Sequence, residues 1–219
     1  MGRIEVICAH IPKSRVFADI GCDHGYCTQY ALAHGLCERA YISDISAACL
    51  KKAEELLGAE IAAGRCVPVC ADGMDGLPEP PDCVLIAGMG GEEIVSILSR
   101  AARLPARFVL QPMKNAEKVR AFLVARGASI GTDITFRDGK FYDLIAGEGE
   151  GGTQYSAFEL RYGRDNLLSP SRDFLQKIEK DAATLRAALL AGAEGVRREK
   201  LRARLHELEA IADAIEERI

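Results

Sequence analysis

Four aspartates at or just beyond the ends of short apolar runs are the residues of this chain whose type and spacing suit a small cationic ligand. The run Val16 to Ile20 leads into Asp19-Ile20-Gly21-Cys22-Asp23-His24-Gly25-Tyr26. A glycine turn there lets a ligand approach the backbone closely. A dinucleotide-binding Gly-x-Gly-x-x-Gly pattern read from Gly21 would need glycine at positions 23 and 26, where Asp23 and Tyr26 stand. Asp44 closes the second apolar run, and Asp72 follows the third in Ala71-Asp72-Gly73-Met74. S-adenosylmethionine fits such a set, because it has no pyrophosphate to cradle and carries an ammonium and a sulfonium that favour nearby carboxylates. On this reading Asp19 and Asp23 face the cationic end of the cofactor, Asp44 accepts from the ribose hydroxyls and Asp72 from the adenine amino group. Any one of these acids could instead be a solvated loop residue.

Two further loops face the same crevice. Ile86-Ala87-Gly88-Met89-Gly90-Gly91-Glu92 lies where a transferable methyl would meet its acceptor, and Leu110-Gln111-Pro112-Met113-Lys114-Asn115 follows the next run.

The elements that must position these residues are legible in the alternation of apolar runs and helical patterns between Arg15 and Gln111, the signature of βα units and a parallel sheet. Strands are expected at 16–20, 41–43, 66–70, 84–87 and 108–110, with helices near 26–35, 46–63, 91–102 and 115–126. Two β-type runs, 128–136 and 141–147, flank Arg137-Asp138-Gly139-Lys140, and Asp-Gly marks a tight hairpin. A closing antiparallel hairpin distinguishes the class I methyltransferase form of the Rossmann-like, doubly wound α/β sheet from its dinucleotide-binding form. Beyond Pro170, Phe174, Ile178, Ala182, Leu185 and Leu189 share one helical stripe. Leu201, Leu205, Leu208, Ile211 and Ile215 share another, which predicts an α-helical coiled-coil hairpin turning at 192–195. The expected organisation is a cofactor-binding domain over 1–150, a connection over 151–170 and the helical hairpin over 171–219.

None of the eight cysteines forms a Cys-x-x-Cys pair, so no metal site is expected and the thiols read as small buried hydrophobes. No apolar run of about 18 residues is present, and a cytoplasmic protein without membrane contact is expected. A net charge of −4 means that a nucleic-acid partner must be held by local basic patches.

Taken together, Asp19 to His24, Ala71-Asp72-Gly73, Ile86 to Gly91 and Leu110 to Pro112 resemble the bacterial TrmK family of tRNA adenine-N1 methyltransferases acting on adenine 22, and the resemblance extends over nearly the whole chain. It implies that Gly21, Asp23, His24, Asp44, Asp72, Gly73, Gly88 and Met89 line the cofactor pocket, and that Gly90, Gly91, Gln111 and Pro112 face the target base. Met113 departs from the family pattern, which has Asn after Gln-Pro. Direct attack by the adenine N1 lone pair needs only alignment, and a carboxylate near the ring, for which Asp23 is the candidate, would favour the positive charge that develops there. Tyr142 is a candidate for stacking on the extruded base, with an ordinary half-buried tyrosine as the alternative. Arg197, Arg198, Lys200, Arg202 and Arg204 on the second hairpin helix, with Lys114, Lys118 and Arg120 beside the crevice, are candidates for tRNA phosphate contacts. The chain is expected to be a monomer or a weak homodimer through the hairpin. A methyltransferase of another substrate class and a non-catalytic cofactor-binding scaffold remain alternatives.

Overall fold

The computed structural model describes residues 2–192 and 194–217. Met1, Ala193, Arg218 and Ile219, at the ends of the expected segments and in the expected hairpin turn, lie outside the described residues. In chain order the elements are α1 (Arg3–Ala9), β1 (Ser14–Ile20), α2 (Tyr26–Ala33), β2 (Cys37–Asp44), α3 (Ala47–Leu56), α4 (Gly58–Ala62), β3 (Cys66–Cys70), β4 (Cys83–Met89), α5 (Gly91–Arg100), β5 (Arg107–Pro112), α6 (Ala116–Ala125), β6 (Ala128–Asp138), β7 (Lys140–Gly151), α7 (Ala157–Tyr162), α8 (Arg164–Leu168), α9 (Arg172–Leu190) and α10 (Gly195–Glu216). One seven-stranded sheet runs β3-β2-β1-β4-β5-β7-β6. Strands β1 to β5 are parallel, and β7 pairs antiparallel with both β5 and β6.

The central strands bury both faces, as parallel strands do, and so read as continuous apolar runs. Val16, Ala18, Ile20, Val84 and Ile86 pack with Ile94 and Leu98 of α5 and Val119 and Leu123 of α6. Phe17, Leu85 and Val109 pack on the other face with α1, α2 and α3. Six buried cysteines, Cys8, Cys22, Cys27, Cys37, Cys66 and Cys83, belong to that second layer. Burial pushes the Cys37 thiol up to about 11 and those of Cys66 and Cys83 to about 12, so they stay protonated as small apolar fillers.

Several boundaries differ from expectation. The helix expected over 46–63 is two, α3 and α4, because buried Leu57 closes the first and Gly58 opens the second. The hairpin needs only Gly139, at φ +66°, between its strands rather than four turn residues, and β7 runs on to Gly151. The segment expected as a plain connection holds α7 and α8. Helix α1 had no counterpart in the pattern reading.

The helical hairpin forms as expected: Phe174, Ile178 and Ala182 of α9 bury against Leu208, Ile211 and Ile215 of α10. Its junction with the sheet is polar. β6 is the edge strand, and its outward N–H groups at Asp133, Thr135 and Arg137 donate to Asp165 Oδ2 (2.8 Å), Asn166 Oδ1 (2.8 Å) and Asp173 Oδ2 (2.9 Å). Beneath them Arg120, 1% exposed, donates through Nε to both carboxylate oxygens of Asp133 at 2.8 and 3.0 Å and through Nη2 to Asp143 at 3.3 Å. Lys177 of α9 also reaches Asp143, at 3.4 Å. Arg120 was expected beside the crevice as a phosphate contact; its burial in this network removes it from that role. Removing one partner of a buried pair leaves the other charge uncompensated. Arg120→Met is therefore expected to lower unfolding stability by about 3–5 kcal/mol, measured by chemical denaturation. Arg120→Met combined with Asp133→Leu should recover part of that loss.

Candidate functional site

The order of the strands reverses between β1 and β4, because the connections after β1 and β2 cover one face of the sheet and α5 covers the other. A crevice opens at the carboxyl ends of the strands at such a point. A cavity of 790 Å³ lies there. It is lined from the β1 end by Asp19, Gly21, Asp23 and His24, from β2 by Asp44, and from β4 by Leu85, Ala87, Gly88 and Met89. Tyr142 of β7 and Met113 line it from the hairpin side and the loop after β5.

Asp19 is buried and accepts a hydrogen bond from Thr28 Oγ1 at 2.9 Å. Burial pushes its carboxyl up to about 6, with Thr28 working in the opposite direction. Gly21, at φ +69°, donates its N–H to Ser43 O at 2.7 Å and lies directly under the Met89 side chain, whose terminal methyl fills the space a β-carbon would take. Asp23 stands in the left-handed region at φ +45°. Its carboxylate pairs with His24 Nδ1 at 2.8 Å and Lys52 Nζ at 3.6 Å. Against a small cost of burial, these two partners hold its carboxyl below the usual carboxylate range. The His24 ring stacks on Tyr26, with ring planes 3° apart. Asp44 accepts from Ser46 N–H through Oδ1 at 2.8 Å, which leaves Oδ2 toward the cavity.

Not every expected residue lines this space. Asp72 and Gly73, past β3, turn toward α5: Arg100 Nη2 donates to Asp72 Oδ1 at 3.0 Å and to its carbonyl at 2.8 Å. Gly90 and Gly91 join the two acceptor-side loops. Gly91 N–H donates to Lys114 O at 2.9 Å, Met113 N–H donates to Met89 O at 2.8 Å, and a β-carbon on Gly91 would collide with the Asn115 carbonyl. Gln111, fully buried and followed by Pro112, donates to Pro112 O at 3.1 Å and leaves its own Oε1 without a partner. Arg197, Arg198 and Arg202 are exposed on α10, away from the cavity lining. Arg204 and Lys118 differ from expectation, since Arg204 pairs with Glu207 at 2.6 Å over the Tyr162 ring and Lys118 pairs with Glu92.

Sequence reasoning missed the contribution of α1. Gly2, Arg3, Ile4 and Glu5 close one side of the cavity, and Arg3 N–H donates to Asp138 Oδ2 at 2.7 Å, tying the start of the chain to the hairpin. The Arg3 guanidinium lies 5.6 Å from the centre of the Tyr142 ring, which also stacks on Phe136. Val6, Ile7 and Cys8 were the available signal, an apolar stripe that had to bury somewhere.

Comparison with known proteins was informative on this arrangement. A methyltransferase-domain family model matches residues 1–145. The tRNA (adenine(22)-N(1))-methyltransferase of Bacillus subtilis is 30% identical over 190 residues, 84% of this chain and 77% of its own length. A candidate tRNA methyltransferase of Mycoplasma pneumoniae is 35% identical over 136 residues, and that match spans 61% of this chain and 62% of the relative, under two thirds of its length. Among solved structures, M. capricolum TrmK in complex with S-adenosylhomocysteine superposes with a TM-score of 0.87 at 19% identity, covering 96% of both chains. B. subtilis TrmK superposes at 0.84 and 21% identity, over 96% of this chain and 97% of its own. These two likenesses establish the fold. The chain belongs to the methyltransferase-domain family, among the relatives of the tRNA (adenine(22)-N(1))-methyltransferase of B. subtilis.

Proposed function

We propose that this protein transfers the methyl group of S-adenosylmethionine to N1 of adenine 22 in tRNA. The observation that carries the reading is the convergence of Asp19, Asp23 and Asp44 on one 790 Å³ cavity at the reversal point of the sheet. That volume lies within the range of about 300–1,000 Å³ typical of small-molecule sites. The lining suits the cofactor: Gly21 has no β-carbon, the thioether of Met89 above it is flexible enough to swing aside, and Asp44 has a carboxylate oxygen to spare. When bound, the cofactor supplies a methyl group activated by its sulfonium.

The protein's own groups then act by position and charge. Asp19 and Asp23 face the ammonium, with His24 fixing the Asp23 carboxylate. Asp44 accepts from the ribose hydroxyls, and the unpaired oxygen of Asp72, beside Gly73, accepts from the adenine amino group. Gly88 and Met89 border the methyl, while Gly90, Gly91, Gln111 and Pro112 shape the acceptor side. The free Oε1 of buried Gln111 can accept from an exocyclic amino group of the target base. Neutral adenine N1 needs no base to deprotonate it, so the task is alignment in a dry pocket. Asp23, held ionised at the cavity mouth, offsets the positive charge that moves from sulfur to the ring. Tyr142 borders the entry of the base, although its ring already meets Arg3 and Phe136.

A position inside a folded tRNA needs contacts beyond the catalytic pocket. Helix α9, with 19 residues, is about 28 Å long, so the exposed Arg197, Arg198 and Arg202 near the hairpin tip reach phosphates well away from the cavity. The apolar stripes of α9 and α10 are spent on each other, which favours a monomer. No helix among the described residues is long and apolar enough to cross a membrane, and a tRNA substrate places the protein in the cytoplasm.

The direct test is incubation with methyl-labelled S-adenosylmethionine and unmodified tRNA, followed by nucleoside analysis: label in 1-methyladenosine is expected, and labelled tRNA lacking it would refute the assignment. Asp23→Ala should stay folded and lose at least about tenfold in turnover with saturating cofactor. Reversing Arg197, Arg198 and Arg202 to Glu should weaken tRNA binding by filter assay while cofactor affinity stays unchanged. Because the Asp19 carboxyl sits near 6, S-adenosylhomocysteine affinity should fall by up to about tenfold per pH unit below that point, and Asp19→Asn should abolish the dependence. A carboxyl raised in the folded state destabilises once ionised, so Asp19→Asn should also raise the melting temperature at pH 7.5.

A further inference from the structure

Arg3 is the one lysine or arginine among the described residues lining a cavity otherwise bordered by carboxylates. Its backbone is fixed from two sides. The Arg3 N–H donates to Asp138 at 2.7 Å, and the preceding Gly2 N–H donates to Glu5 Oε2 at 2.9 Å. These bonds occupy the two acids closest to it in the lining, and no carboxylate forms an ion pair with its guanidinium. The Arg3 Nε is buried and has no hydrogen-bond partner. Its Nη2 lies 3.2 Å from where a β-carbon would stand on Gly88, and its guanidinium covers Tyr142. A guanidinium carries five donors in a planar fork and no acceptor, and a buried donor left unpaired is costly. The group is therefore held ready, by the hairpin on one side and an aromatic ring on the other, for a ligand that brings oxygen acceptors.

The geometry points to Arg3 as an oxyanion-binding residue of the cavity, receiving a carboxylate or phosphate beside Gly88. Resting on the cofactor reading above, the source that fits best is the α-carboxylate of S-adenosylmethionine, the one anionic group of a ligand whose ammonium and sulfonium match the surrounding acids. The other source of the same chemistry is a phosphate of the extruded nucleotide.

Decarboxylated S-adenosylmethionine separates the two, because it keeps the ammonium and sulfonium and lacks only the carboxylate. Calorimetric titration of wild-type protein and Arg3→Met, which retains an apolar stem, should show S-adenosylmethionine binding weakened at least about tenfold and the decarboxylated form unchanged. Unchanged cofactor binding with a KM for tRNA raised at least about tenfold would place a phosphate there instead and still support the oxyanion role. Equal weakening of both nucleosides, or no change in either binding or KM, would overturn it. Should Arg3→Met fail to fold, Arg3→Lys, which keeps the charge and loses the Nε donor, carries the same comparison. Wild-type protein that binds neither nucleoside would refute the cofactor reading itself, a result distinct from any of these.

Discussion

The structure depends on gathering like charges at one edge of a sheet whose interior is apolar on both faces. Carboxylates from the ends of β1 and β2 face a common space only because the chain crosses from one face of the sheet to the other between β3 and β4, which leaves the β1–β4 boundary uncovered. Asp19 feels this most, buried with Thr28 as its hydrogen-bond donor and its proton held more tightly than in water. Such an arrangement is unfavourable for an empty protein and favourable for one that receives a cation, which is why the charge pattern carries the functional reading.

The far edge of the sheet is governed by a different problem. An exposed edge strand offers unpaired N–H groups to any other strand, and β6 has three of them covered by side-chain oxygens of Asp165, Asn166 and Asp173. The same residues attach the helical hairpin, and the Arg120, Asp133, Asp143 and Lys177 network locks that attachment from below. Neighbouring residues on β6 thus serve both ends of the molecule: Arg137 N–H is held by α9, and Asp138 holds Arg3 at the cavity. The hairpin is a rigid extension of the catalytic layer, fixed in direction relative to the pocket it would serve.

Much of this was legible in the sequence. Five strand runs, the closing Asp-Gly hairpin and the helical hairpin follow from periodicity, because each buries an uninterrupted apolar pattern. Asp19, Gly21, Asp23, His24, Asp44, Gly88, Met89 and Tyr142 all line the one cavity. What was not legible involves pairing at a distance. Arg120 reads as an exposed helix cation until Asp133 is seen beside it, and Arg204 reads as an RNA contact until Glu207 and Tyr162 claim it. Arg3 was invisible because nothing local in Arg3–Ala9 reveals that its helix packs against a hairpin whose turn lies at Gly139.

The most direct test of the central claim is a crystal structure of the protein grown with S-adenosylhomocysteine. The account predicts nucleoside density in the crevice between β1 and β4, with the ribose on Asp44, the sulfur facing Ala87 and Gly88, and Met89 moved off Gly21. A crevice that stays empty at saturating ligand, or a nucleoside bound elsewhere on the protein, would contradict it.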